Sequence, residues 1–148
     1  MNIKLRAARD EDFTFARSVY FETMRWIIER LFGWEQAREE QNFAGFFRLD
    51  EVQIITADGQ GVGWIQECIE EDVIFIGSFY ISSAMQRRGI GTRVLRELMA
   101  KAANQSKAVT LAVVKINPAV HFYEKHGFRI THEDKHKFYM RADSPVYG

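Results

Sequence analysis

The sequence predicts an α+β domain of mixed α/β type, with elements in the order β-α-α-β-β-β-α-β-α-β-β. Three observations carry that prediction. Short runs that alternate apolar and polar residues, or stay apolar throughout, are interleaved with longer stretches whose apolar residues recur at helical spacing. The run 73–81, VIFIGSFYI, is apolar on both faces, as a strand covered on both sides must be. Finally, 148 residues that are 47% hydrophobic, with 12 Phe among them, supply the core of one domain, 1–148, without staples.

The elements follow in order. Ile3, Leu5 and Ala7 alternate with polar neighbours and give a first strand, 3–7. Asp10 and Asp12 are candidate helix caps, and Phe13, Ala16, Tyr20, Met24, Ile27 and Leu31 then recur as an amphipathic helix to Phe32, stopped by Gly33. Residues 34–47 read as a second, less regular helix. Strands at 52–57 and 62–70, joined by the turn Asp58-Gly59-Gln60-Gly61, form a hairpin. The central strand 73–81 runs into a polar loop, 82–88. Ile90, Val94, Leu95, Leu98 and Ala102 mark the next helix, and 108–114 is a buried strand. Asn117 and Pro118 open the last helix, with Asn as cap and Pro where its missing N–H is harmless. Lys125 and His126 suit its negative pole, and Gly127 closes it. Two strands, 128–133 and 137–141, and a loose tail, 143–148, complete the chain.

Composition excludes several classes. Only 2 Pro with 27% charged residues argue against a disordered or collagen-like chain. A single cysteine, Cys68, permits no internal disulfide and no cysteine-rich metal site, and suits a reducing compartment. The four histidines, His121, His126, His132 and His136, lack the short spacings of zinc ligands, so no metal is expected. The first residues carry no apolar leader, and no apolar run approaches the roughly 20 residues of a membrane span, so the expectation is a cytoplasmic protein with no membrane partner.

Lys+Arg and Asp+Glu are both 20, which argues against a wholesale nucleic-acid binder. The balance conceals two local excesses. Residues 86–107 hold Arg87, Arg88, Arg93, Arg96, Lys101 and Lys107 against Glu97 alone, whereas 67–72 hold Glu67, Glu70, Glu71 and Asp72 with no base. These are either solvated stretches or sites for an anionic and a cationic ligand.

The segment 81–92 carries the most chemistry. A buried strand passes through Gln86-Arg87-Arg88-Gly89-Ile90-Gly91-Thr92 into a helix. The first turn of a helix presents unpaired N–H groups at the positive end of its dipole. Gly89 and Gly91 remove side chains that would block a ligand from that backbone, and Arg87 and Arg88 add charge, so the segment fits a phosphate cradle. It lacks the Lys-Ser/Thr of a P-loop and the third glycine of the dinucleotide fingerprint. An ordinary βα turn has the same spacing.

After the next buried strand comes Asn117-Pro118-Ala119-Val120-His121-Phe122-Tyr123-Glu124-Lys125-His126-Gly127-Phe128. Gln-x-x-Gly-x-Gly after a strand, followed by Asn…Phe-Tyr-Glu-Lys-x-Gly-Phe, resembles the GNAT acetyltransferase superfamily, and the element order extends the resemblance over nearly the whole chain. The resemblance implies a mostly antiparallel mixed sheet whose parallel strands four and five splay apart, with helices on both faces. It implies acetyl-CoA as cosubstrate, with pantetheine lying along the backbone of Phe79, Tyr80 and Ile81 and the pyrophosphate on the N–H groups from Arg87 to Thr92. Gln86, Ile90 and Phe122 fall within the same motifs. Asn117 matches a position that bonds the pantetheine arm, and it equally suits a plain helix cap.

Tyr123 matches the family tyrosine beside the acetyl-CoA sulfur. A phenol of pKa about 10 facing a thiol of about 8.5 makes full proton transfer uphill by about 2 kcal/mol. The expectation is therefore a strong hydrogen bond to the leaving thiolate, or a phenol whose pKa is locally lowered. The acceptor amine must lose a proton before it attacks. A lysine-like amine is neutral in about one molecule in 2,500 at pH 7, a penalty of about 4.6 kcal/mol. Some family members place a Glu on strand four for this task, but here 73–81 contains no acid and Phe75 stands near that position. Glu67 is the candidate base, with Glu22 and Glu35 as alternatives.

The implied activity is transfer of an acetyl group from acetyl-CoA to a primary amine of a small molecule or peptide by direct attack, in a chain that could form a homodimer. The acceptor site would lie among the first two helices and the terminal hairpin, where Trp26, Trp34, Phe43, Phe46 and Phe47 are either lining or core. A non-catalytic acyl-CoA sensor and a generic phosphate-binding module remain as alternatives.

Overall fold

A computed structural model describes residues 1–144 of the chain. Its elements are β1 Ile3–Ala7, α1 Phe13–Phe32, α2 Gln36–Phe46, β2 Val52–Ala57, β3 Gln60–Ile69, β4 Val73–Ile81, α3 Ile90–Asn104, β5 Ala108–Val114, α4 Ala119–Lys125, β6 Arg129–Glu133 and β7 Lys137–Ala142, in the order expected. Single 3-10 turns at Asp10–Asp12, Leu49–Glu51 and Ser83–Met85 were not legible in the sequence. Hydrogen bonds join the strands in the order β1-β2-β3-β4-β5-β7-β6. The ladders β1–β2, β2–β3, β5–β7 and β6–β7 are antiparallel, and β4–β5 is parallel.

Along the chain the molecule divides into two compact units, one of Met1–Gln66 with Ser78–Gly91 and one of Glu67–Gly77 with the chain from Thr92 on. In the first unit, α1 and α2 supply Ala16, Val19 and Phe43 to a core shared with Val52, Ile54 and Trp64. The indole N–H of Trp64, fully buried, donates to the Ala16 carbonyl at 3.0 Å, so the largest core side chain leaves no orphaned polar group. The β2–β3 turn is tighter than expected. Asp58 and Gly59 alone make it, both with positive φ (50° and 84°), the pattern of a two-residue hairpin loop.

Two helix starts differ from the expectation. Asp12 is not a side-chain cap. Its carboxylate takes a fork of two bonds from the Arg6 guanidinium, at 2.8 and 2.9 Å, and a third from the Arg9 N–H. The first of these holds its pKa below the usual carboxylate range. Glu35, in contrast, is the cap of α2, accepting from the Arg38 N–H at 2.8 Å.

In the second unit β5 is laddered on both edges, to β7 over Val109–Val114 and to β4 over Ala108–Leu111. The amphipathic face of α3 buries Val94, Leu95, Leu98 and Ala102. Strand β6 is exposed along its whole length, and a register shift between Ile130 and His132 breaks its pairing to β7. The expected loose tail is anchored at its first residue, because Asp143 pairs with both Arg129 and Arg141 at 2.6 Å. From residue 145 on, that tail lies outside the described residues.

Strand β4 changes character along its length. Val73–Ile76 run beside Ala108–Leu111, and there the β5 ladder ends, although β4 continues to Ile81 and β5 to Val114. Its register against β3 changes as well. At one end the Glu70 N–H donates to the Val73 carbonyl, at the other the Ser82 N–H donates to the Val62 carbonyl. Eight chain steps, from Val62 to Glu70, separate these bonds on one side and nine, from Val73 to Ser82, on the other, so the second side carries one extra residue, the offset that a β-bulge makes.

Candidate functional site

Beyond Ile81 the backbone turns sharply. The Ser83 N–H donates to the Glu22 carboxylate of α1 at 2.5 Å, and the Gln86 amide reaches back to the Ile81 carbonyl at 2.9 Å. Arg87 and Gly89 then both adopt left-handed conformations, with φ 63° and 81°, before α3 begins at the buried Ile90. Two left-handed residues one position apart make a tight turn into the N-terminus of α3, where unpaired N–H groups and the helix dipole favour an anion. Arg87 is an arginine held where side chains rarely go, a conformation that costs about 1 kcal/mol or more. Gly89 is glycine because of its φ, and a Cβ built on it would meet nothing within 4 Å. Open space therefore stands over this turn. Gly91 has no positive φ and lies with Thr92 in the first turn of α3. The side chains of Arg87 and Arg88 are exposed.

On the second unit, Asn117 Oδ1 accepts from the Ala119 N–H at 2.9 Å, so its carbonyl oxygen does cap α4. The cap leaves the two amide hydrogens of that side chain as further donors. Phe122 is half-buried, and Tyr123 is 7% exposed, edge-on to Phe122 (5.4 Å between centroids) and Phe128 (5.5 Å). Burial alone pushes the Tyr123 phenol well above its ordinary pKa. The direction is opposite to a lowered phenol, since burial among apolar rings disfavours the phenolate. What remains is a neutral O–H that keeps its proton and can donate.

Each candidate base has a partner. Glu67 is nearly buried and bonds Lys101 of α3 at 2.9 Å. Glu22 holds the loop at Ser83, and Glu35 caps α2. The acidic and basic stretches are thus joined in part, because Lys101 belongs to one and Glu67 to the other. Phe75 lies half-buried on β4 in register with Thr110.

The aromatic candidates divide. Phe43 is fully buried core, and Phe46 and Phe47 pack against that core. Trp34 lies edge-on to Phe21 at 5.1 Å, with the Arg25 guanidinium 4.7 Å from its ring. Trp26 is 45% exposed. Tyr20 joins this group, 5.3 Å from Tyr80, and burial together with the Glu39 carboxylate pushes its phenol up to about 12. The sequence pattern marked Tyr20 only as a helix-face residue. Among the described residues no cluster of His, Cys, Asp or Glu could hold a metal ion, and no helix is long and apolar enough to cross a membrane.

Among solved structures, the fold is similar to PaiA N-acetyltransferase from Thermoplasma acidophilum in complex with coenzyme A, with TM-score 0.81 and 20% identity over 97% of this chain and 99% of that one. It is also similar to the ribosomal-protein-S18-alanine N-acetyltransferase from Escherichia coli, with TM-score 0.68 and 16% identity over 99% and 97%. At such identities the likeness is one of fold. No curated protein sequence matches significantly. The family model described as "Acetyltransferase (GNAT) family" matches residues 4–128, from β1 to the Gly127-Phe128 pair that closes α4, and the chain belongs to that family.

Proposed function

We propose that this chain works as one domain, a cytoplasmic N-acetyltransferase that moves an acetyl group from acetyl-CoA to a primary amine. One observation carries the reading. A strand that leaves its parallel ladder at Ile76 ends, after Ile81, in a left-handed turn at Arg87 and Gly89 that opens a 15-residue helix. Such a segment offers strand backbone to an amide-bearing arm and, next to it, inward N–H groups to a diphosphate.

When bound, acetyl-CoA supplies an acetyl group activated as a thioester. In this reading the backbone of Phe79, Tyr80 and Ile81 holds the arm as an added strand would be held. The N–H groups from Arg87 to Thr92 hold the pyrophosphate, and Arg87 and Arg88 add long-range attraction that salt weakens. Gln86 and Ile90 fix the turn from either side, one by its bond to Ile81 and the other by burial. Asn117 donates its side-chain amide to the arm, and Phe122 flanks it.

The amine attacks the carbonyl carbon, the C–S bond breaks, and the electron pair leaves on sulfur. Tyr123 keeps its phenolic proton on oxygen and donates a hydrogen bond to the developing thiolate. The proton lost by the amine goes to a carboxylate or to water. Glu67 is the proposed acceptor, and its bond to Lys101 must loosen first. The exposed Glu70, Glu71 and Asp72 favour a cationic acceptor molecule.

The test joins calorimetry to a release assay. Acetyl-CoA should bind far more tightly than ATP, and a panel of primary amines should release free thiol from acetyl-CoA in the presence of the protein. Tyr123→Phe should lower kcat roughly 100-fold with the acetyl-CoA Kd unchanged within twofold. ATP binding as tight as acetyl-CoA would leave only a generic phosphate module. Tight acetyl-CoA binding with no release for any amine would favour the sensor, a reading supported by the absence of an acid on β4 and by the partners already held by Glu22, Glu35 and Glu67.

A further inference from the structure

The cradle and the tyrosine belong to motifs, but one residue outside them controls where the end of β4 lies. Gly63 sits buried in the middle of β3, in register with Ile55 of β2. Glycine weakens a strand interior, because it loses more chain entropy on folding and packs no side chain. Nothing about its backbone requires the residue, as its φ is not among the positive ones. The requirement comes from across the ladder. A Cβ on Gly63 would collide with the carbonyl oxygen of Tyr80 and lie 3.0 Å from the Ile81 Cα. Both obstacles are backbone atoms, which cannot swing aside as the end of a side chain can.

Gly61, two residues earlier on the same strand, is the natural contrast. The three atoms nearest to a Cβ there all belong to the ring of Phe15, at 3.2 to 3.6 Å, and a ring can give way by a few tenths of an ångström. Gly61 therefore tolerates a methyl group, and Gly63 does not. The stretch that Gly63 admits is also the part of β4 beyond the β5 ladder, whose last paired residue is Ile76. A methyl group at residue 63 would displace Tyr80 and Ile81 and alter the direction of their backbone groups. Gln86 would follow, because its side chain is bonded to the Ile81 carbonyl.

The geometry points to Gly63 as a positioning residue for the acyl-CoA arm. Its missing side chain lets β3 approach β4 closely enough to fix Tyr80 and Ile81 where the arm pairs with them. This inference rests on the acetyl-CoA reading above, and the experiment separates the two.

Wild type, Gly63→Ala and Gly61→Ala are titrated calorimetrically with acetyl-CoA and with ADP, which carries the diphosphate but no pantetheine arm. The expected result for Gly63→Ala is acetyl-CoA binding at least tenfold weaker, with ADP binding changed less than threefold. Gly61→Ala should bind both as wild type does. Hydrogen exchange on the ligand-free proteins supplies a second readout. Amides 79–81 should exchange faster in Gly63→Ala, while the buried strand 108–114 keeps its protection.

Equal acetyl-CoA affinity in Gly63→Ala and wild type would overturn the inference and leave the function standing. Parallel losses for both ligands, or a Gly63→Ala chain that does not fold, would also overturn it, since Gly63 would then serve the fold rather than the arm. A wild type that does not bind acetyl-CoA would defeat the function itself.

Discussion

The two ends of β4 are made from similar residues and are held differently. Val73–Ile76 lie in register with β5, and Ile74 and Ile76 are almost wholly buried. Phe79–Ile81 lie past that ladder and lead into the left-handed turn. At the first end the backbone bonds are spent on the fold. At the second, a strand well inside the hydrogen-bonded order of the sheet has left its parallel neighbour. The contrast teaches that strand backbone can leave a ladder well inside a sheet as well as at its margin, and the proposed binding edge is of that kind.

Three substitutions break or sharpen this contrast. The largest effect belongs to the laddered end. Ile76→Pro removes an N–H from a strand with neighbours on both sides and empties a core position, so stability should fall by about 3 kcal/mol or more in urea unfolding, whether or not acetyl-CoA is present. At the cradle the loss should appear in binding instead. Gly89→Ala places a methyl group in space where the protein has no atoms within 4 Å, at a φ of 81°. Its strain should cost about 1 kcal/mol of stability, while acetyl-CoA binds about tenfold more weakly in calorimetry. The smallest effect has two signs. Arg87→Gly relieves a left-handed arginine and should stabilise the fold by up to about 1 kcal/mol. The same change removes a cradle charge and should weaken acetyl-CoA severalfold, a difference that shrinks as salt is added. A loss of both stability and affinity in Arg87→Gly would mean that the arginine supports the fold rather than the ligand.

The buried phenols make stability depend on pH on the alkaline side. Burial raises the pKa of Tyr123 and Tyr20, the latter to about 12. A raised phenol pKa contributes stability that is present below the unfolded value near 10 and is lost as pH rises through the folded value. The stability these phenols contribute should therefore begin to fall above about pH 10 in urea unfolding followed against pH, and the Tyr123 proton remains in place throughout the neutral range.

Much of this was legible residue by residue. Ile90, Val94, Leu95, Leu98 and Ala102 announced α3 because helical spacing is a local property, and the bounds of β1, β2, β4 and β5 fell where the apolar runs did. The turn into α3 was legible for the same reason, since Gln86 to Thr92 are contiguous and their glycines mark a change from strand to helix. Asp12 stands at the N-cap position of α1, but its carboxylate turns back to Arg6 and Arg9 instead of into the helix, because Arg6 lies on the strand before it. Glu67 gave no sign of Lys101, 34 residues away. The tight turn at Asp58-Gly59 was blurred into four residues because Gln60 and Gly61 carry turn-like chemistry but sit in the ladder.

By itself the sequence determined the order of the elements, their periodicities, the glycine turn and the neutral balance of 20 basic against 20 acidic residues. These depend on neighbours within a few positions, where spacing and conformational preference act directly. Only the tertiary structure decided that Tyr123 is desolvated, that Lys101 bonds Glu67, that β4 leaves β5 at Ile76, and that Gly63 faces the Tyr80 carbonyl. Each of these is a contact between residues far apart in the chain. Its sign is set by distances of a few ångströms that the order of the residues does not specify.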